Sequence, residues 1–532
     1  MSRWLVPVGY GALGVLGVFL IWPVFGGDFP PGVDTPTFLH LAWVTRLALT
    51  GEISPPWVDP FWYGGRFPYL QAYPPLAYGL VGGVSAVTGV EWVGVYRGVL
   101  AVGYVGTGWA TAWLAQEMGL ARWTALLAGL VALLGYPVLA ALGLWGWFTS
   151  CVALPLVLLG YGLLERGVWR GKGGWAALGG VCFGLGALAH HMTAFGIGLA
   201  LLPWGVYALV RGVPGRWQVV RAGAAFMGAT GVVALPWGIP FLLHALPVGF
   251  RREIPGVWAF PPVLYAWHAI SPGYIGRYIY PSYLGGSLVL FGILGLGYAI
   301  GEGRRLPGVA LVLLCLVWFS LGVGGNPLYR FYPFSGLDTA RFSLFLMPFL
   351  AILAAAVVDA GARAMGRRLP TLAARGVAGV LAVALVALPA KDAWTFRQRI
   401  QPYRVDPQVR DALGWLATHT APHDLIFSGG MWFWDTFLIP YLSRRPLVHG
   451  WHDEGAPSWR QVGALRGAVW SAHGSVEEVY ATLKALGARY VVVGEGLFSP
   501  EASGAFRQGL DSHPQGFSLR ARWERVRIYQ VR

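Results

Sequence analysis

Asp34 heads the string Val33-Asp34-Thr35-Pro36, and an amphipathic run of Phe38, Leu39, Leu41, Ala42, Val44 and Leu47 follows it. A carboxylate in that place has two readings. It caps a helix whose first turn holds a proline, or it sits at a membrane surface beside His40 and the aromatics of WVDPFWYGG, able to accept a proton from a hydroxyl or amide. Arg341, in LDTARFSLFL, also has two. Its guanidinium can grip a phosphate bidentately, or it pairs with Asp338 while Arg330 meets lipid phosphate. His190 and His191 end an apolar stretch in AHHMTAFG, where imidazoles must be hydrogen-bonded, metal-bound or turned to a wet cavity, unless they pack at the interface. Asp28 and Asp59 share Asp34's loop, and Pro60 behind Asp59 points to a turn.

The elements that must position these groups lie in a bilayer. Of 532 residues, 56% are hydrophobic and only 12% charged, and the apolar residues come in blocks long enough to cross. Spans are expected near 4–24, 96–117, 122–135, 149–165, 174–190, 193–210, 222–245, 284–300, 307–322, 342–362 and 374–390. The stretch 76–90 either lies re-entrant or interfacial, or crosses together with a second segment near 137–147, which gives about 11–13 spans. Met1 to Phe25 has the look of a signal peptide, but its apolar run is too long and lacks a convincing cleavage site, so it reads as the first span.

The net charge of +15 belongs to topology. Residues 1–399 carry 25 Lys and Arg against 12 Asp and Glu, whereas 400–532 carry 14 against 12. The excess falls in short clusters (Arg166, Arg170, Lys172; Arg211, Arg216, Arg221; Arg304, Arg305; Arg363, Arg367, Arg368, Arg375), the mark of cytoplasmic loops rather than of nucleic-acid binding. That parity places the N-terminus in the cytoplasm of a plasma-membrane protein. The loops 26–75, 246–283 and 322–341 and the C-terminal part then face outside. Cys151, Cys182 and Cys315 lie inside apolar segments without metal or disulfide spacing.

Two domains are expected. Residues 1–395 form the membrane domain with its long first exterior loop, 26–75. Residues 400–532 alternate helical and strand patterns, as in Pro407–His419, Leu425–Ser428, Val476–Leu486, Arg489–Gly494 and Trp523–Val531, and read as a small exterior α/β domain.

The strings VDTPTFLHL, PPWVDPFWYGGRFPYLQAYPPLAY and LDTARFSLFLMPFLAILAA, followed by an exterior α/β part, resemble the GT-C superfamily of polyprenyl-phosphate-sugar-dependent glycosyltransferases. The nearest likeness is to prokaryotic membrane proteins labelled as related to 6-pyruvoyl-tetrahydropterin synthase, a label that implies no pterin chemistry, with a more distant likeness to oligosaccharyltransferase catalytic subunits and protein O-mannosyltransferases. The resemblance implies a catalytic Asp34 and a donor-phosphate-binding Arg341. His40, Asp59, Arg66, Tyr73, His190, His191 and Asp338 become cavity-lining candidates, and Trp57, Trp62 and Tyr63 candidates for stacking on sugars. In LIFSGGMWFWDTFLIPYLSRRPLVHGW, Trp434 and Asp435 match the Trp-Trp-Asp-Tyr-Gly region of oligosaccharyltransferases and become acceptor-side candidates, although Phe433, Thr436 and Phe437 depart from it. The segment 136–148 carries no acid where metal-dependent relatives have a pair. A divalent cation, Mg or Mn, would therefore need Asp28, Asp34, His190 or Glu253.

The implied activity is transfer of a sugar from a polyprenyl-phosphate donor to a protein, glycan or lipid acceptor. Two other classes fit many spans and a large exterior loop: a transporter or flippase of a lipid-linked glycan, and a non-catalytic scaffold on the same fold.

Overall fold

The computed structural model describes residues 5–54, 57–211, 215–245, 262–272, 274–275, 278–279, 282–301, 305–331, 334, 338–429, 432–450, 458–470, 475–494 and 500–532. The chain is a polytopic α-helical membrane protein with a small mixed sheet near its C-terminus. Six helices among the described residues are long and apolar enough to cross a membrane singly: 7–25, 148–170, 191–211, 216–243, 340–366 and 371–399. Arg122–Leu134 and Tyr136–Gly143 meet at Gly135 with a 44° bend and are together apolar enough for one broken span or a re-entrant loop. Trp92–Glu117 and the shorter apolar helices Gly173–Ala189, Gly286–Gly301 and Leu306–Ser320 fill the remaining expected places. Leu76–Thr88 has 13 residues, about 20 Å at 1.5 Å per residue, which falls short of a hydrocarbon core of about 30 Å. It packs along Thr35–Leu49.

Two helices form the centre of the bundle. Ala340–Gly366 and Phe148–Arg170 are almost wholly buried by their neighbours, whereas Arg216–Pro240 leaves Val220, Met227, Val232 and Leu235 exposed, as a lipid-facing helix must. Small residues permit the closest approaches. A Cβ on Gly179 would lie 3.0 Å from the backbone nitrogen of Leu164, so Gly173–Ala189 and Phe148–Arg170 meet backbone to backbone.

Phe148–Arg170 also connects two polar clusters. Near its start Ser150 meets Arg341 and His190. Near its end Arg166 pairs with Glu117, whose carbonyl accepts from Arg305, and the Arg166 guanidinium lies over Trp113 and Trp175 at 5.2 and 4.9 Å. Sixteen helical residues put these clusters about 24 Å apart along the helix axis. The basic loops at 166 and 305 thus share one end of the bundle, and the Asp34 region lies at the other.

The C-terminal sheet follows an antiparallel pair, β1 (Tyr274–Ile275) and β2 (Tyr278–Ile279). Its strands are β3 (Leu425–Ser428), β4 (Ala488–Gly494), β5 (Phe517–Arg522) and β6 (Val526–Val531), in the order β3-β4-β6-β5, with β3 parallel to β4 and the other pairs antiparallel. On β6, Val526 and Ile528 share one face and Tyr529 and Val531 the other, and all four are buried, so both faces of the strand are covered. The first loop is woven into this part. Phe29 bridges Tyr403, Leu447 donates its N–H to the Phe61 carbonyl at 2.6 Å, and Trp62 Nε1 donates to the Thr436 carbonyl at 2.8 Å. The sheet therefore sits at the Asp34 end of the bundle.

Candidate active site

Asp34 is the residue preceding the helix Thr35–Leu49, with Pro36 in the first turn, yet its side chain makes no capping hydrogen bond. The helix entry is held by other means. Val33 and Asp34 donate their N–H groups to the carbonyls of Leu144 and Trp145 at 3.1 and 2.9 Å, and Thr35 Oγ1 donates to the Pro31 carbonyl at 2.6 Å. Two glycines let these strands of backbone touch. Gly146 has φ +67°, and a Cβ there would lie 2.6 Å from the Thr35 nitrogen; a Cβ on Gly32 would lie 2.6 Å from the Gly146 nitrogen.

The Asp34 carboxylate goes to Arg341. Arg341 Nη2 donates to Asp34 Oδ2 at 3.0 Å and Nε donates to Asp338 Oδ2 at 3.1 Å. Nη1 donates to Ser150 Oγ at 3.3 Å and to His190 Nε2 at 3.1 Å. The Trp147 ring lies under the guanidinium, 4.9 Å from its centroid to the guanidinium carbon. Because a guanidinium only donates, His190 Nε2 faces Arg341 as acceptor, while His190 Nδ1 lies 2.7 Å from Thr193 Oγ1 and 3.2 Å from both the Thr193 backbone N–H, which donates to it, and Ser150 Oγ. Tyr73 borders the cluster: its hydroxyl is 3.2 Å from Thr149 Oγ1 and its ring centroid 6.4 Å from that of His190. The side chains of Asp34, Arg341 and Asp338 keep 17, 13 and 24% of their surface accessible, so the cluster reaches solvent.

The other expected residues lie elsewhere. His40 Nε2 is 2.7 Å from Asp59 Oδ2, both side chains have no exposed surface, and the imidazole stacks on Trp62 at 4.3 Å and 4°. Asp59 Oδ1 accepts from the Phe61 N–H at 2.8 Å, which closes the turn over Pro60. Wholly buried against each other, His40 and Asp59 lock the loop. Trp62 and Tyr63 are likewise buried, and His40 covers a face of Trp62, so the expected sugar-stacking role fails for both; Trp57 is exposed. Arg66 is exposed. His191 packs among the rings of Tyr73, Trp237 and Phe241 and beside His190. Trp434 stacks on Tyr403 at 3.7 Å and 8°, and Asp435 is buried against Ser428, so both stand in the seam between the first loop and the sheet. Trp147, Ser150 and Thr193 complete the Arg341 cluster and were not anticipated.

A divalent ion needs several oxygen donors drawn together without a competing cation. Among the described residues no group of three or more His, Cys, Asp and Glu gathers in that way. Asp28 accepts from the Val405 N–H at 2.8 Å and faces Arg410, while Asp34 and His190 are both bound to Arg341. Glu253 lies outside the described residues. With Arg341 between them, Asp34 and His190 do not fit a metal.

No protein-family model and no curated sequence matches the chain. Solved structures do. An archaeal oligosaccharyltransferase, AglB from Archaeoglobus fulgidus in complex with an inhibitory peptide and a dolichol-phosphate, is 14% identical with a TM-score of 0.62, over 97% of this chain and 73% of the other. An A. fulgidus oligosaccharyltransferase complex with Zn and sulfate is 12% identical at 0.55, over 96% and 71%. ArnT from Cupriavidus metallidurans bound to undecaprenyl phosphate is 15% identical at 0.56, over 99% of this chain and 98% of that one. The mycobacterial arabinofuranosyltransferase AftD is 16% identical at 0.62, over 100% of this chain but 42% of its own.

The chain has the GT-C fold. The fold expected from the three sequence strings is thus the one observed, with its helical membrane bundle and appended sheet.

Proposed function

We propose that the chain is a membrane glycosyltransferase that moves a sugar from a polyprenyl-phosphate donor to an acceptor at the exterior face. The observation that carries this reading is that Asp34 stands in a cap position yet spends its carboxylate on Arg341, not on the helix. A carboxylate kept from its local structural task and set beside a cation at the bundle's end is arranged for chemistry. Two solved structures of the same fold hold a polyprenyl-type phosphate, dolichol-phosphate in one and undecaprenyl phosphate in the other, which supports the donor class.

The reaction is written as an inverting displacement. A lone pair on the acceptor oxygen or nitrogen attacks the anomeric carbon while the bond from that carbon to the phosphate oxygen breaks. The polyprenyl phosphate leaves with the electron pair, and the acceptor proton passes to Asp34. Arg341 meets the charge growing on the departing phosphate, and Asp34 acts as base.

Orientation follows from charge. The Arg166 and Arg305 loops gather at the end opposite Asp34, and basic loops favour the cytoplasm. On that rule Asp34 and the C-terminal domain, residues 400–532, face outside, the N-terminus lies in the cytoplasm, and the membrane is the plasma membrane.

The test is transfer from labelled polyprenyl-phosphate sugars by the purified protein in lipid, beside Asp34→Asn. Turnover lost in the variant at an unchanged melting temperature is the expected result. Absence of turnover by the native chain across a broad donor and acceptor panel would overturn the reading.

A further inference from the structure

Arg341 is already fully engaged along the edge that a phosphate would use. A guanidinium offers two parallel N–H donors along its Nε/Nη2 edge, the geometry that matches a carboxylate or phosphate. In this chain two different carboxylates divide that edge, Asp338 on Nε at 3.1 Å and Asp34 on Nη2 at 3.0 Å. With both carboxylates ionised, Arg341, Asp34 and Asp338 together carry one net negative charge. An anion approaching this arrangement is repelled unless the carboxylates leave.

The rest of the guanidinium is anchored independently of that edge. Nη1 is held by Ser150 and His190, and Trp147 supports the ring face. His190 is itself fixed through Thr193. The group can therefore change partners along one edge without moving as a whole. Asp34 and Asp338 keep 17 and 24% of their side-chain surface accessible, so water can receive them on release, in contrast to the wholly buried Asp59.

We infer that the donor phosphate and the Asp34 carboxylate are alternative partners of the same Arg341 edge, so that donor binding itself releases the base. The phosphodiester of the sugar-bearing donor carries one charge and presents two unesterified oxygens, which can take Nε and Nη2 together in one bidentate contact in place of two carboxylates that each reach one nitrogen; the polyprenyl phosphate released by transfer is a monoester of higher charge, about −1.5 to −2, on the same edge. Before the donor arrives, Asp34 is masked and cannot take a proton from an acceptor. Once the phosphate lies along Nε and Nη2, Asp34 is freed beside the sugar. The donor therefore binds before the acceptor becomes reactive, and Ser150, His190 and Trp147 are positioning residues that hold the guanidinium during the exchange. This inference rests on the polyprenyl-phosphate reading given above.

Undecaprenyl phosphate, the monoester that transfer releases and that carries the same phosphate as the donor, is the probe, titrated against the full chain in lipid nanodiscs. Asp34→Asn removes the competing charge and keeps the shape, so it is expected to bind the probe about tenfold tighter than the native chain, as is Asp338→Asn, while Arg341→Met loses binding. If native binding depends on Arg341 but neither asparagine variant binds more tightly, the exchange is wrong and the donor reading stands. If no Arg341-dependent binding is found in any variant, the donor reading fails and the exchange with it. For the anchor, His190→Leu is expected to weaken probe binding. His190→Gln, whose amide oxygen can still accept from Nη1, restores it at the same melting temperature; failure of that rescue would remove the positioning role.

Discussion

The first long loop and the helix it leads into supply a carboxylate to each of two polar pairs with opposite surroundings. His40 and Asp59 lie 2.7 Å apart with no exposed surface, and Trp62 covers the imidazole in parallel. Asp34 and Arg341 lie 3.0 Å apart with 17 and 13% of their side chains accessible, and they share their contacts with Asp338, Ser150 and His190. A pair sealed from water on every side can only hold structure, since neither partner can meet a substrate and breaking it strands a buried polar group. A pair left partly open at one edge, with its cation held from the other, can exchange partners. Position in a long aromatic loop does not separate the two; residual access and the number of shared contacts do.

The largest effects should fall on the open pair. Loss of a positioned general base removes about 10²–10⁴ in rate, so Asp34→Asn should lower kcat by that factor with little change in melting temperature. Arg341→Lys keeps the charge but cannot span Asp34, Asp338, Ser150 and His190 at once, and should lose a comparable factor. Nearly native turnover in both variants would mean that the open pair is as structural as the closed one.

The closed pair should show the reverse pattern. Asp59→Ala leaves His40 buried without its partner and opens the turn at Phe61, and the cost of breaking a buried pair is about 3–5 kcal/mol. The melting temperature in detergent should fall sharply, and whatever folded protein remains should bind undecaprenyl phosphate as the native chain does. A variant of unchanged stability but abolished turnover would move Asp59 back among the cavity-lining residues.

A second sealed histidine gives the comparison a pH dependence. His449 is buried at the edge of the C-terminal sheet, and burial first, then the nearby Arg466 guanidinium, lower its pKa to about 3 from an ordinary 6.5. Between those values the unfolded chain binds a proton that the folded chain refuses. Stability is therefore complete above pH 6.5 and declines as pH falls toward 3, by about 1.4 kcal/mol per unit once the unfolded imidazole is protonated. His449→Leu should flatten the melting temperature between pH 7 and 5; an unaltered slope would assign the acid sensitivity to other groups.

Much of this architecture was legible before any coordinates. Apolar blocks and charge clusters mark the spans because a bilayer imposes length and charge rules on each segment alone. Asp34 and Arg341 stood out by residue type and setting. Their partnership did not, because it spans 307 positions, and the Arg341–His190 contact spans 151. Trp147 and Ser150 were missed for a related reason: Trp145-Gly146-Trp147 lies in an apolar stretch whose only visible feature was its lack of acids. His40 and Asp59 were misplaced because polar residues in a long loop look alike whether they face water or seal a seam. Only packing of Trp62 and Thr436 tells them apart.

Gly146 tests whether the open pair depends on the backbone beneath it. Its φ of +67° lies in the left-handed region, which costs a residue with a Cβ about 1–2 kcal/mol. A methyl there would also meet the backbone nitrogen of Thr35 at 2.6 Å and push on the helix entry that carries Asp34. Gly146→Ala should thus lower stability modestly but turnover disproportionately, because displacement of Asp34 by a fraction of an ångström weakens its alignment with Arg341 and with an acceptor. The control is Gly51→Ala, which has φ +76° and open space where the methyl would go. It should share the backbone cost and leave turnover per folded molecule intact. If the two variants lose turnover equally, the geometry around Asp34 is set by something other than the contact between residues 32–35 and 144–147.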